Sequence, residues 1–222
     1  MPSYRTAHRI GRILRFSAVT LVYAVCLLLL LRMCSARTPS ALRGIDPNDR
    51  LKDAYRESET LTLLYQNGDS ITRAEPSKGY FAIPEYVYIP EAKQVQLIFR
   101  YNNSTLAHVT EDYKTEEPLS REDDPFDLTL VLKKAIDGEE QEIRLHAAKT
   151  EKSLAKRLYS FYRLTFDDVA IDEDTTGLFA DIYYKGDLDY DKSAYGTLCL
   201  YDPAEAWLSK NLSGAQKRAL SK

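Results

Sequence analysis

Cysteine, histidine and tryptophan are scarce in this chain of 222 residues, with three, three and one respectively. Cysteines at 26, 34 and 199 do not form the even, compactly spaced set of a disulfide scaffold, so the fold has to rest on an apolar core. Cys199, alone in a run of strand character, is expected to pack as a small apolar residue. The histidines, His8, His108 and His146, lie far apart, and no nucleophile elbow, paired-His or paired-Cys spacing accompanies them. No cofactor is therefore expected, and an enzyme is disfavoured. Nine glycines and nine prolines exclude a collagen-like or proline-rich chain, while 44% apolar and 11% aromatic residues exclude general disorder.

Charge is distributed unevenly. Residues 1–32 hold Arg5, Arg9, Arg12, Arg15 and Arg32 and no acid, whereas the remainder holds 25 basic and 33 acidic residues, a net of −8. Between Arg15 and Arg32 lie sixteen uncharged residues, Phe16 to Leu31, ending in five leucines. As a helix these span about 24 Å, and the two arginines can snorkel to make up the difference from a hydrocarbon core of ~30 Å. A cleaved secretory signal has similar parts, and Cys34-Ser35-Ala36 supplies small residues for cleavage. Arg32 and Met33 immediately before that site favour an uncleaved anchor instead. Neither Cys26 nor Cys34 follows the small residue that lipid attachment needs. The basic N-terminal flank predicts a cytoplasmic segment 1–15, a membrane helix 16–32 and a body outside the cytoplasm. Its acidity keeps that body off anionic headgroups, and no nucleic-acid partner is expected.

Residues 33–79 read as a stalk. Asp49 to Arg56 suits two helical turns, and Asn67-Gly68-Asp69-Ser70, between Thr60–Gln66 and Ile71–Arg73, signals a hairpin. From residue 80 onward a period of two dominates. Tyr80–Ile89, broken by Pro84, suits an edge strand. Val95, Leu97, Phe99 and Tyr101 share one face of the next, opposite Gln94, Gln96 and Arg100. Phe126 to Leu132, Ile143 to Ala147, Tyr162 to Phe166, Leu178 to Tyr184 and Leu198 to Leu200 alternate likewise. Lys152–Arg157 could form at most a short helix.

Seven strands with one apolar face each, and no helices to supply crossovers, predict a mainly β fold in which two antiparallel sheets cover each other over residues 80–202. The arrangement of the last three strands, Tyr159–Ile171, Gly177–Gly186 and Gly196–Asp202, resembles an immunoglobulin-like or fibronectin-like β-sandwich. It lacks the paired cysteines and central tryptophan of true immunoglobulin domains. The leucine-rich anchor and the run Gln96 to Leu106 are similar to uncharacterised exported, single-pass membrane proteins of Gram-positive-type bacteria. That resemblance implies a compartment and no activity. After the strands, Asp202-Pro203-Ala204-Glu205 has the form of a helix start, with Ala204, Trp207, Leu208 and Leu212 on one face and Gly214 at the end. Residues 203–222 are thus expected to be a C-terminal helix and tail.

Candidate sites are few. Asp187-Leu188-Asp189-Tyr190-Asp191 places Asp187, Asp189 and Asp191 where alternate carboxylates could meet a hard cation. Lys192 and Leu198 occupy the sixth and twelfth positions, where a helix-loop-helix calcium loop needs Gly and Glu, so a plain solvated loop is the stronger reading. Residues 104–125 carry seven acids against Lys114 and Arg121 and read as an acidic excursion, with helical character near His108–Tyr113. Outward aromatics, Phe179, Tyr183 and Tyr201 foremost, with Phe161, Tyr86 and Tyr88, form a candidate contact surface unless they cover one another. Asn102, Asn103 and Asn211 match the glycosylation pattern and carry little weight in a bacterial-looking chain. The expected function is a membrane-anchored, non-enzymatic extracytoplasmic domain that binds a protein or envelope component. The alternative is a cation- or carbohydrate-binding module built on the Asp187 loop.

Overall fold

A computed structural model describes residues 4–65, 81–114, 119–187, 193–201, 203–204 and 207–221, with side chains described from residue 16 onward. The chain divides into two compact units, residues 1–37 and 38–222. The first is a single helix, α1 (Tyr4–Ala36). Its apolar part, from Phe16 through the leucine run, is exposed, and it is the one helix among the described residues long and apolar enough to cross a membrane.

The second unit is mainly β, with ten strands among the described residues in two wholly antiparallel sheets. In chain order these are β1 (Thr62–Tyr65), β2 (Phe81–Ile89), β3 (Gln94–Asn102), β4 (Phe126–Ile136), β5 (Glu139–His146), β6 (Lys149–Ser153), β7 (Tyr159–Phe166), β8 (Thr175–Tyr184), β9 (Gly196–Tyr201) and β10 (Leu208–Asn211). One sheet runs β10-β1-β2-β3-β7-β6 and the other β5-β4-β8-β9. Alternation explains the core. Val95, Leu97, Phe99 and Tyr101 of β3 and Tyr162, Leu164 and Phe166 of β7 meet Leu128, Leu130 and Leu132 of β4 and Leu178, Ala180 and Ile182 of β8 in one cluster. At one end the core is aromatic: Phe126 lies edge-on to Tyr101 (centroids 4.8 Å) and Phe81 (5.0 Å). Helix α3 (Asn103–Tyr113) lies at this end, with Tyr113 against Tyr184 and Tyr195.

Several elements depart from the sequence reading. The segment expected as a stalk belongs to the body from Thr38 onward: α2 (Asp49–Ser58) and β1 lie on or in the six-stranded sheet. The physical reason is a second apolar cluster on that sheet's outer face, where Leu51, Ala54, Leu61 and Leu63 meet Val87, Ile89, Leu212 and Leu220. The hairpin expected around Asn67-Gly68 lies outside the described residues.

Strand β2, expected at an edge, sits between β1 and β3, although β1 reaches it only at Leu64↔Tyr88. A register shift between Ala82 and Glu85 accommodates Pro84 and puts Phe81, Ile83, Tyr86 and Tyr88 all into the core. Within the helix expected over 203–213, residues 208–211 instead form β10, paired with β1 from Thr62↔Asn211 to Tyr65↔Leu208. The C-terminal helix is α4 (Gly214–Leu220), which begins at the glycine expected to end it and is capped by Ser213 and Gln216. Strand β6 occupies part of the stretch read as a short helix.

Candidate functional site

The outer faces of the two sheets differ. That of the six-stranded sheet is covered by chain from the beginning and end of the body, and a buried polar clamp holds part of this cover in place. Gln96, 3% exposed, accepts the Asp46 N–H at 2.6 Å and donates to the Asp46 carbonyl at 3.0 Å, so its side-chain amide copies a strand neighbour. The same Nε2 also donates to Gln94 Oε1 at 2.8 Å, which accepts from Asn48 Nδ2.

The Asp46 carboxylate takes Lys149 Nζ at 2.7 Å and lies 4.0 Å from Arg163. Lys149 also meets Glu151 at 2.7 Å, and Glu151 pairs with Arg163. The hydrogen bond to Asp46, followed by that to Glu151, raises the Lys149 pKa; the bond to Lys149, followed by that to Arg163, lowers that of Glu151. A cleft of ≈ 40 Å³ beside this clamp is lined by Gly44, Ile45, Tyr65, Glu85 and Arg163 among others. That is room for a few waters.

The outer face of the four-stranded sheet carries no such second layer among the described residues. It presents Thr129, Val131 and Lys133 of β4, Glu140, Glu142, Arg144 and His146 of β5, Phe179, Asp181 and Tyr183 of β8, and Thr197 and Cys199 of β9, whereas Tyr201, past a register shift, lies opposite Leu178 and packs against the core. Its middle is nonetheless dry: Val131 is 3% and Tyr183 6% exposed, because long side chains lie over them. Arg144 donates to the Tyr183 hydroxyl at 2.9 Å and stands 3.9 Å from Asp181, which accepts from Thr197 at 2.6 Å. Burial, then the Asp181 charge, raises the Tyr183 pKa and keeps the phenol a neutral donor. Lys133 sits 5.6 Å above the Phe179 ring and pairs with Glu140 and Glu142 at 2.9 and 3.1 Å.

The aromatics expected to point outward are therefore divided. Phe179 and Tyr183 do share this face, but Tyr183 is buried under Arg144 rather than open. Tyr201 is half-buried under Trp207, with rings stacked at 5.3 Å. Tyr86 and Tyr88 face the core, and Phe161, on the other sheet, is fully buried. What sequence reasoning missed is the charged set around them. Arg144, His146 and Asp181 were legible as outward positions, but only the register Thr129↔His146, Thr129↔Asp181 and Val131↔Arg144 brings them together.

The other sequence candidates separate. Asp187 follows β8 and is half-buried, its N–H donating to the Tyr184 carbonyl at 3.1 Å; Asp189 and Asp191 lie outside the described residues. The acidic excursion is largely built into the body. Asp112 accepts from Tyr195 at 2.7 Å, Lys152 holds Asp124 at 2.8 Å, and Arg121 donates to the Leu154 carbonyl at 2.7 Å. Cys26, Cys34 and Cys199 are thiols, none in a disulfide. Compared with known proteins, the chain matches no family model, no curated sequence and no solved structure.

Proposed function

We propose that the chain is a membrane-anchored, non-enzymatic binding domain, held by α1 with its N-terminus in the cytoplasm and presenting the outer face of the β5-β4-β8-β9 sheet to a protein or envelope partner. The observation that carries this reading is the asymmetry of the two outer faces. One is covered by the chain's own α2, linker and α4; the other, among the described residues, presents a dry aromatic centre rimmed by Lys133, Arg144, Glu142, His146 and Asp181. Such a centre and rim match the anatomy of a recognition surface. An immunoglobulin-like arrangement is part of the same reading. The orders β2-β3-β7-β6 and β5-β4-β8-β9, with hairpins alternating between sheets, follow the pattern A-B-E-D against C-F-G with one added strand beside C.

The test is site-specific photocrosslinking in intact cells. A photoreactive residue at Phe179 or Thr197 should give a defined adduct, and one at Glu57 on α2 should not. Absence of an adduct from both face positions, or equal adducts from all three, would sink the reading. Reporter fusions after residue 40 and residue 222 should both report export, and a cytoplasmic signal at 222 would reverse the orientation.

A further inference from the structure

Strand β5 is the edge of its sheet, and among the described residues its far side has no neighbouring strand. All its residues but Leu145 are exposed, including Ile143 at 39%. It follows β4 through the two-residue turn Asp137-Gly138, both at positive φ (54° and 83°), with Ile136 opposite Glu139. In such a hairpin the flanking pair is hydrogen-bonded, and hydrogen-bonded and non-hydrogen-bonded pairs then alternate. Glu139, Gln141, Ile143 and Leu145 therefore turn their backbone groups toward β4. Glu140, Glu142, Arg144 and His146 turn theirs to the open edge, and the side chains of these four stand on the outer face.

We infer that this edge pairs antiparallel with β5 of a second copy of the chain, about a twofold axis at Ile143. The charge pattern selects both partner and register. An antiparallel ladder must oppose edge-facing residues to one another, which allows twofold axes only at individual residues. An axis at Glu142 opposes Glu142 to itself, and one at Arg144 opposes Arg144 to itself. One at Gln141 sets Glu140 against Glu142, and one at Leu145 sets Arg144 against His146. The axis at Ile143 alone sets opposite charges against each other with no like charges opposed: Glu142 meets Arg144 twice, while Glu140 meets the His146 imidazole, a hydrogen-bonding partner, twice. It also brings the two exposed Ile143 side chains together as a close, non-hydrogen-bonded pair. The joined sheet has eight strands and a continuous outer face, and the edge that would otherwise template unspecific pairing is closed.

The experiment uses the full chain in native membranes, with Cys26, Cys34 and Cys199 replaced by Ser. Opposed residues of a non-hydrogen-bonded pair lie about 4.5 Å apart at Cα, within disulfide range. Ile143→Cys should thus form a disulfide dimer on mild oxidation, and Gln141→Cys, displaced four residues from its own copy, should not. In the Ile143→Cys background, Glu142→Arg or Arg144→Glu alone should cut the dimer about tenfold, since two attractive pairs become repulsive. Co-expression of the two reversed chains should restore it as a heterodimer. Circular dichroism of the variants checks that the exposed substitutions leave the fold intact. Three results would overturn the inference: no Ile143→Cys dimer, equal crosslinking at 141 and 143, or a dimer indifferent to the reversed charges, which would assign association to α1.

Discussion

Gln96 shows what one buried amide does for this fold. Its carboxamide pairs with both backbone groups of Asp46; the carbonyl also accepts the Asn48 N–H at 2.9 Å, so Gln96→Leu keeps the size and leaves the Asp46 N–H unpaired. We expect a loss of about 1 to 3 kcal/mol in denaturant melts, the cost of one orphaned buried group. Hydrogen exchange should rise first at residues 44–48. The neighbouring charges set the acid limit. Glu151 has a folded pKa below its ordinary 4.5, so its stabilising contribution is present above that value and is lost as pH falls through the lowered one. Lys149, raised above its ordinary 10.5, contributes below that value and fails as pH rises through the raised one. In thermal melts, Glu151→Gln should flatten the fall in Tm on acidification below pH 4.5 and leave a smaller clamp at neutral pH.

At the scale of elements, alternation in the sequence located the seven central strands because each has one face in the shared core. The elements it missed lack that signature. Lys149-Thr150-Glu151-Lys152-Ser153 has no apolar residue, and only pairing with β7 makes it a strand. Trp207, Leu208 and Leu212 have helical spacing, yet four backbone pairs with β1 outweigh that local preference. The facing of Tyr86 and Tyr88 was misjudged for a different reason: a bulge moves every later residue of a strand to the opposite face, and its position is a property of the pair of strands. Where a turn does dictate conformation, the sequence is explicit. Gly138 sits at φ 83° with open space where a Cβ would go, so Gly138→Val meets backbone strain and no clash. A cost of about 1 to 2 kcal/mol in urea melts is expected, with Asp137→Gly close to neutral.

For the molecule as a whole, the two outer faces were the illegible part. Gln94, Gln96 and Arg144 could be assigned outward, but whether a second layer lay over them depended on contacts spanning most of the chain, such as Leu51 and Leu63 with Leu212 and Leu220. A chain ending at residue 207 tests that layer. Without β10 and α4 it should bind an apolar dye, lose protease resistance around α2 and melt at lower temperature. Unchanged melting would show that α2 and β1 suffice to cover the face.

The pairing of Thr62 with Asn211 also sets a clock on biogenesis. The partner of β1 leaves the ribosome about 150 residues after β1 itself, which at ~5 to 20 residues per second is roughly 7 to 30 s. Until Leu212 and Leu220 are made, Leu63, Val87 and Ile89 have only Leu51, Ala54 and Leu61 over them, so the growing chain carries an adhesive apolar patch whose cover residues 208–220 complete. Premature termination is therefore self-reporting: a chain that stops early keeps the patch, and holdases and proteases can find it there.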